Sequence, residues 1–227
     1  RMQWNLNEQG ERQPARERTP GQGRGGFGGF GGTTVLPGTY KLRITYAGQK
    51  DSTQVIVKAD PRFDAAPATL EARYNLAKQL NGYTKAAAQA CDRLRESRDL
   101  VEDFEKRIKD AKRSDLKEAG DKTKAMKDSI SAVFDYILGK EDKRQGITMG
   151  EKPSRYSYVQ NAQQYVARSR EPISDTDRRV MKHAEDKIAE IVKRVNQFYS
   201  TTWTEYKSLM EKTSLSPFKS YEPLKQN

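Results

Sequence analysis

The sequence predicts a mainly α protein: a long antiparallel helical bundle, three long helices plus one shorter, with a small, incomplete antiparallel β unit at its N-terminal end. Three observations point there. Tyr40, Leu42, Ile44 and Tyr46 occupy every second position with Lys41, Arg43 and Thr45 between them, which lines one face of a half-buried strand. Beyond Asp60-Pro61 the alternation never returns, and apolar residues recur in steps of three, four or seven, the spacing of packed helices. The composition agrees, because 34% hydrophobic and 32% charged residues leave only a thin core, and thin cores suit extended bundles whose charged faces stay in water. The change of period divides the 227 residues into a β unit over 1–63 and a helical bundle with an extended C-terminal tail over 64–227.

Within the β unit, Val55 and Val57 alternate around Ile56, and the polar stretch Ala47 to Ser52, containing Gly48, predicts a turn between two antiparallel strands. Asp60-Pro61 closes the second strand, since proline lacks a ladder donor and disfavours helix at the residue before it. Met2, Trp4 and Leu6 alternate with Gln3 and Asn5 and read as a further strand. Residues 10–33, with Pro14, Pro20 and the run from Gly21 to Gly32, cannot bury enough surface to offset their chain entropy and are expected to form a mobile loop.

The first helix is expected from Ala68, with a stripe through Leu70, Tyr74, Ala77, Leu80, Thr84, Ala87, Cys91, Leu94, Val101, Phe104 and Ile108. Continuous to Lys112, it would run about 69 Å. A second stripe uses Leu116, Met126, Ile130, Val133 and Ile137, opened by Ser114 as cap and stopped near Gly139, so the two helices pack antiparallel. Residues 140–152 read as loop. A shorter helix spans Tyr156 to Arg168, with Tyr158, Val159, Ala162, Tyr165 and Val166 on one face, and Glu171-Pro172 ends it. Ser174 or Asp175 caps a last long helix carrying Val180, Ile188, Ile191, Val195, Phe198 and Leu209, and Pro217 and Pro223 mark a tail expected to lie back on the bundle.

The strand introduced by Pro37-Gly38-Thr39-Tyr40 and the exit Asp60-Pro61-Arg62 carry a resemblance. So do Trp4-Asn5-Leu6, the stretch Tyr156 to Arg168 and the ending Leu215-Ser216-Pro217-Phe218. Together they resemble the C-terminal region of large secreted β-propeller proteins of Bacteroidetes-type bacteria, the sortilin-like, BNR-repeat proteins often labelled glycosyl hydrolases. In that family an Ig-like strand unit follows the propeller and precedes a helical bundle. The resemblance implies an exported protein and a position within a larger one, and any glycosidase activity would belong to the propeller. About three strands are visible here, whereas an Ig-like sandwich has about seven. Either the others lie upstream in the parent chain or another surface covers an open sheet. The residues this leaves for docking are Trp4, Leu6, Tyr40, Leu42 and Ile44.

Several function classes are weighed down by composition. No apolar run approaches the roughly 18 residues of a membrane span, the richest being Ile130 to Leu138. Arg1 opens no charged-then-apolar leader, so an export signal would have been removed or would belong to a missing N-terminal portion. The single cysteine, Cys91, falls in a helical apolar stripe and reads as a small buried hydrophobe. His183 is the one histidine, so no standard zinc set exists and no cofactor is implied. Glu102 with Asp103, and Asp175 with Asp177, are paired carboxylates explained by solvated faces or caps rather than by acid catalysis.

Net charge is +11, which raises the alternative of a nucleic-acid or anionic-surface binder using the Arg/Gly/Phe-rich segment and basic helices. Residues 1–36, however, carry five arginines against three glutamates, and helical cations alternate with anions, as in Asp92-Arg93-Leu94-Arg95-Glu96. The segment around Gly21–Gly32 holds one arginine, Arg24, where RNA-binding arrays repeat Arg-Gly-Gly many times. A protein partner, the chain's own propeller or another envelope protein, is favoured over nucleic acid. Of the aromatic residues Tyr156, Tyr158, Tyr165, Phe198, Tyr199, Trp203 and Tyr206, which could also line a carbohydrate platform, Phe198 reads as core. Trp203 and Tyr206, placed after Ser200-Thr201-Thr202, read as candidates for a surface contact.

Overall fold

The computed structural model describes residues 4–17, 32–111, 113–140 and 153–213. Two strands, β1 (Gly38–Tyr46) and β2 (Gln49–Val57), form one antiparallel hairpin. Helix α1 (Pro67–Ala111) follows, then a 3-10 turn (Ser114–Leu116) leading into α2 (Lys117–Leu138), α3 (Arg155–Arg168) and α4 (Asp175–Phe198). A π turn (Tyr199–Trp203) joins α4 to α5 (Thr204–Lys212), so that α4 and α5 make one rod. No helix among the described residues is long and apolar enough to cross a membrane.

The stripes read from the sequence form the core. Leu80, Thr84, Ala87, Cys91, Leu94 and Val101 of α1 are fully or almost fully buried, as are Leu116, Met126, Ile130, Val133 and Ile137 ahead of and along α2. Ile188, Ile191, Val195 and Phe198 complete the seam from α4. Helix α1 has 45 residues and is therefore about 68 Å long. Its direction against α2 follows from three contacts: Ile108 faces Gly120, Glu105 pairs with Lys127 at 2.8 Å, and Arg98 stacks on Phe134. As one number falls the other rises, so the pair is antiparallel. Similar pairings run α3 antiparallel to α1, through Arg73 with Glu171 and Thr84 with Gln163. Helix α4 runs alongside α1 in the same direction, through Arg73 with Asp177 and Ser97 with Tyr199.

Helix ends show where local chemistry acts. Gly139 stops α2 with φ 82°, a conformation L side chains rarely adopt, and its N–H donates to the Asp135 carbonyl. The expected cap at Ser114 is corrected: Ser114 lies inside the 3-10 turn, and no side chain caps it or α2. Helix α3 is capped by Ser154, whose hydroxyl accepts from the Ser157 N–H, and it ends at Arg168, ahead of Glu171-Pro172. Ser174 caps α4 in a reciprocal box, accepting from the Asp177 N–H while the Asp177 carboxylate accepts from the Ser174 N–H. Ser174→Ala removes one arm of that box and is expected to lower the unfolding free energy by about 1 kcal/mol in urea titration.

The N-terminal segment departs most from expectation. Residues 4–6 form no strand; Asn7 and Thr34 make one isolated antiparallel bridge, with Glu8 N–H to the Thr33 carbonyl and Val35 N–H to the Leu6 carbonyl, both 2.9 Å. Residues 8–17 are a strap along the bundle instead of the start of a loose loop. Glu8 binds Lys78 and the Tyr74 hydroxyl, Arg12 binds Asp92, Arg16 binds Asp135, and Glu17 takes both amino groups of Arg98 at 2.6 and 2.8 Å. Pro14 is buried, and Gln13 accepts from the buried Tyr156 hydroxyl. Polar contacts distant in sequence hold this segment, so it has no hydrophobic period to announce it. The stretch 18–31, including most of the glycine-rich run, and the tail with Pro217 and Pro223 lie outside the described residues.

Lys78 first, then Tyr74, lower the Glu8 carboxyl from its ordinary value, and Arg98 lowers that of Glu17. Groups whose folded value is depressed contribute stability above their unfolded value and lose it as pH falls through the folded one. Amide protection of residues 8–17, taken relative to the intrinsic exchange rate at each pH, is therefore expected to fall below about pH 4 while that of α1 holds.

Candidate docking face and the cavity at its foot

The hairpin turns at Ala47-Gly48, with φ 47° and 80°. Left-handed values at both central residues define the two-residue turn whose twist matches that of paired strands, so the turn is tighter than the polar stretch Ala47 to Ser52 suggested. The register then sets the faces. Tyr40 opposes Val55, Leu42 opposes Thr53, and Gly38 opposes Val57, which places Tyr40, Leu42, Ile44, Tyr46, Val55 and Val57 on one side. Lys41, Arg43 and Lys50 share the other side with Ile56. The alternation of β1 thus puts an apolar row on one face, where β2 adds Val55 and Val57 near the foot and Thr53, Asp51 and Gln49 farther out, and a cationic row on the other.

That apolar face is covered only near its foot. Trp4 meets Tyr40 edge-on with ring centroids 5.5 Å apart, its indole N–H donating to the Asn7 carbonyl, and the Tyr40 hydroxyl donates to the Leu36 carbonyl. Farther out, Ile44 is 48% exposed and Tyr46 82% exposed, and on the reverse side Ile56 is 69% exposed. Among the described residues, no helix packs along either strand. A two-stranded hairpin without a third strand or a packed layer is marginal in water. Of the docking candidates on the β side, Trp4 and Tyr40 pack on each other, Leu42 is half-buried, Ile44 is open, and Leu6 stands 41% exposed with φ 57° beside the isolated bridge.

The helical candidates fare differently. Tyr206 is 5% exposed: it belongs to the core, meets Phe104 edge-on and exchanges a hydrogen bond with the buried Thr123 hydroxyl. The signal for this was present, because Tyr206 lies eleven residues, three helical turns, after Val195 on the same stripe. Ser200-Thr201-Thr202 concealed it; these polar residues sit in the π turn, where the hydroxyls of Thr201 and Thr204 bond back to the carbonyls of Gln197 and Tyr199. Trp203 is half-buried against Phe198, Tyr199 and Tyr206 and borders a shallow groove with Leu100 of α1. Tyr165 stands 52% exposed, off the buried face of α3 formed by Val159, Ala162 and Val166.

At the hairpin foot, Leu6 and Asn7, residues 32–37, residues 57–65 and helices α1 and α3 line a half-open cavity of about 630 Å³. Gly32 belongs to its wall, and a Cβ there would meet the Glu8 carbonyl at 1.7 Å, so only glycine lets the two segments approach. Arg170 joins Asp60 at 3.2 Å and lies over the Phe63 ring, tying the hairpin exit to the end of α3.

Beside the cavity, Arg73 and Asp177 form a buried ion pair at 3.1 Å, and Arg73 also donates to the carbonyls of Glu171 and Pro172. Burial pushes the Asp177 carboxyl up, but Ser174 through its N–H and hydroxyl, together with Arg73, outweighs burial, and the net shift is downward. Asp177 is therefore a buried cap rather than a solvated one. Burial raises the Cys91 thiol to about 11, so it is a protonated core group at neutral pH, and His183 lies on the exposed side of α4 against Tyr158. Among the described residues, no three histidine, cysteine, aspartate or glutamate side chains gather to hold a metal ion. The chain matches no protein-family model, no curated protein and no solved structure.

Proposed function

We propose that this chain is a non-catalytic accessory module of an exported β-propeller protein of the sortilin-like, BNR-repeat kind. It docks through the open apolar face of its hairpin onto β structure of that same protein, while the bundle supplies a rigid brace. The observation that supports this most is the sheet face itself: Leu42, Ile44 and Tyr46 continue an apolar row past Trp4, and among the described residues no helix packs over it. Alternating apolar side chains on a short hairpin make sense when a second layer or further strands cover them. The position of the hairpin next to a long bundle agrees with the order of elements that the family resemblance implies.

Nucleic-acid binding draws less support. Arg12, Arg16, Arg95 and Arg98 engage carboxylates of the chain itself, so their charge is met internally. Assayed alone on chromogenic glycosides, the 227-residue chain is expected to give no turnover above buffer. Turnover that survives purification to homogeneity would replace the docking reading with an enzymatic one.

A further inference from the structure

The half-open cavity at the hairpin foot falls within the roughly 300–1,000 Å³ that small-molecule sites occupy. Leu36, Val57, Leu70, Leu80 and Val166 give it aliphatic walls, drawn from the segments that flank the hairpin and from α1 and α3. Uncharged polar side chains around this space are engaged with partners of the chain itself: Asn81 donates to the Thr33 hydroxyl, Thr34 to Asn7 and Tyr74 to Glu8. The interior is therefore suited to an apolar body.

Charge is left over where the cavity opens. The lining holds three cations, Lys58, Arg73 and Arg170, and one anion, Asp60. Arg73 is met by Asp177 at 3.1 Å, and Asp60 is met by Arg62, which grips both carboxylate oxygens at 3.0 and 2.8 Å. Arg170 adds one longer bond to Asp60 at 3.2 Å, and Lys58 makes no ion pair among the described residues. Four cations thus face two anions. Lys58 is exposed and Arg170 half-exposed, so the surplus lies at the mouth rather than in the apolar interior. Arg170 spends only Nη1 on Asp60, and the Phe63 ring, 4.2 Å from its guanidinium carbon, holds the rest of its donor fork in place. We propose that this cavity binds a fatty carboxylate, its alkyl chain along the aliphatic walls and its head group at the mouth between Lys58 and Arg170. This site is separate from the docking face and does not rest on it.

Decanoate titrated into the 227-residue chain and followed by amide-resolved NMR is expected to give saturable shifts at Lys58, Ala77, Asn81, Val166 and Arg170. Decanol keeps the alkyl chain and loses the charge, and it is expected to bind about tenfold more weakly. Lys58→Gln with Arg170→Gln is expected to bring decanoate down to the level of decanol. N-acetyl-leucyl-phenylalanine carries the same carboxylate on a peptide body and is expected to bind more weakly than decanoate. The proposal would be overturned by the absence of saturable shifts with decanoate, or by shifts centred on Leu42, Ile44 and Tyr46 in place of the cavity residues. Decanol or the dipeptide binding as tightly as decanoate, or a preference for decanoate over decanol that survives the double substitution, would also overturn it. Should the double variant fail to fold, the comparison of decanoate with decanol on the unsubstituted chain decides alone.

Discussion

Arg73→Ala is expected to lower the unfolding free energy by about 3–5 kcal/mol. The substitution strands the Asp177 carboxylate, which is buried at the start of α4, and frees the carbonyls of Glu171 and Pro172 from their donor. It also unpins the point where α1, α4 and the segment after α3 meet. Replacing both partners, Arg73→Met with Asp177→Leu, is expected to recover part of the loss, because no uncompensated charge then remains. Urea titrations of the two variants, followed by circular dichroism, read the difference. The pair also sets an acid limit. With its folded value below the unfolded one, Asp177 contributes stability above its unfolded value, and that contribution fades as pH falls through the folded value. Stability of the unsubstituted chain should therefore drop below about pH 4, and more shallowly in the double variant, which lacks this carboxyl.

The second large effect concerns docking. Leu42→Glu with Ile44→Glu is expected to change the stability of the 227-residue chain by no more than about 0.5 kcal/mol, since Ile44 is half exposed and Leu42 only half-buried. In a propeller protein of the kind proposed above, the same pair should undock the hairpin, because burying a Leu or Ile side chain contributes about 1.5–3 kcal/mol and a buried carboxylate is costly. Trypsin reads the outcome, since Lys41, Arg43 and Lys50 lie in the strands. Cleavage there should be rapid in the 227-residue chain, slow in such a propeller protein and rapid again in its substituted form. A substituted form as resistant as the unsubstituted one would remove these residues from any interface.

The architecture was legible wherever a periodic burial pattern existed. The break at Asp60-Pro61 separated alternation from helical repeats, and the stripes through Leu80, Ile130 and Ile191 marked the core because each helix buries a face against the others. Contacts made by single polar groups across long sequence separations left no such trace. The strap is an example: Glu8, Arg12, Arg16 and Glu17 resemble any solvated tail until the helical residues they meet are placed beside them. Arg73 likewise sits in a helix with the look of a surface cation, and its partner is supplied by the capping box of another helix. The cavity belongs to the same class, since its walls come from five separate stretches of chain. On the candidate face, alternation placed Tyr40, Leu42 and Ile44 on one side, whereas Tyr206 was misplaced by reading polar neighbours instead of its phase with Val195.

Amide hydrogen exchange across β1 and β2 tests the docking account most directly, measured on the 227-residue chain and on the larger propeller protein that the proposed function calls for. Rapid exchange of residues 38–57 in the chain alone, slowed by at least about tenfold in the larger protein, is the expected result. Equal protection in the two, with the hairpin already slow to exchange by itself, would contradict it.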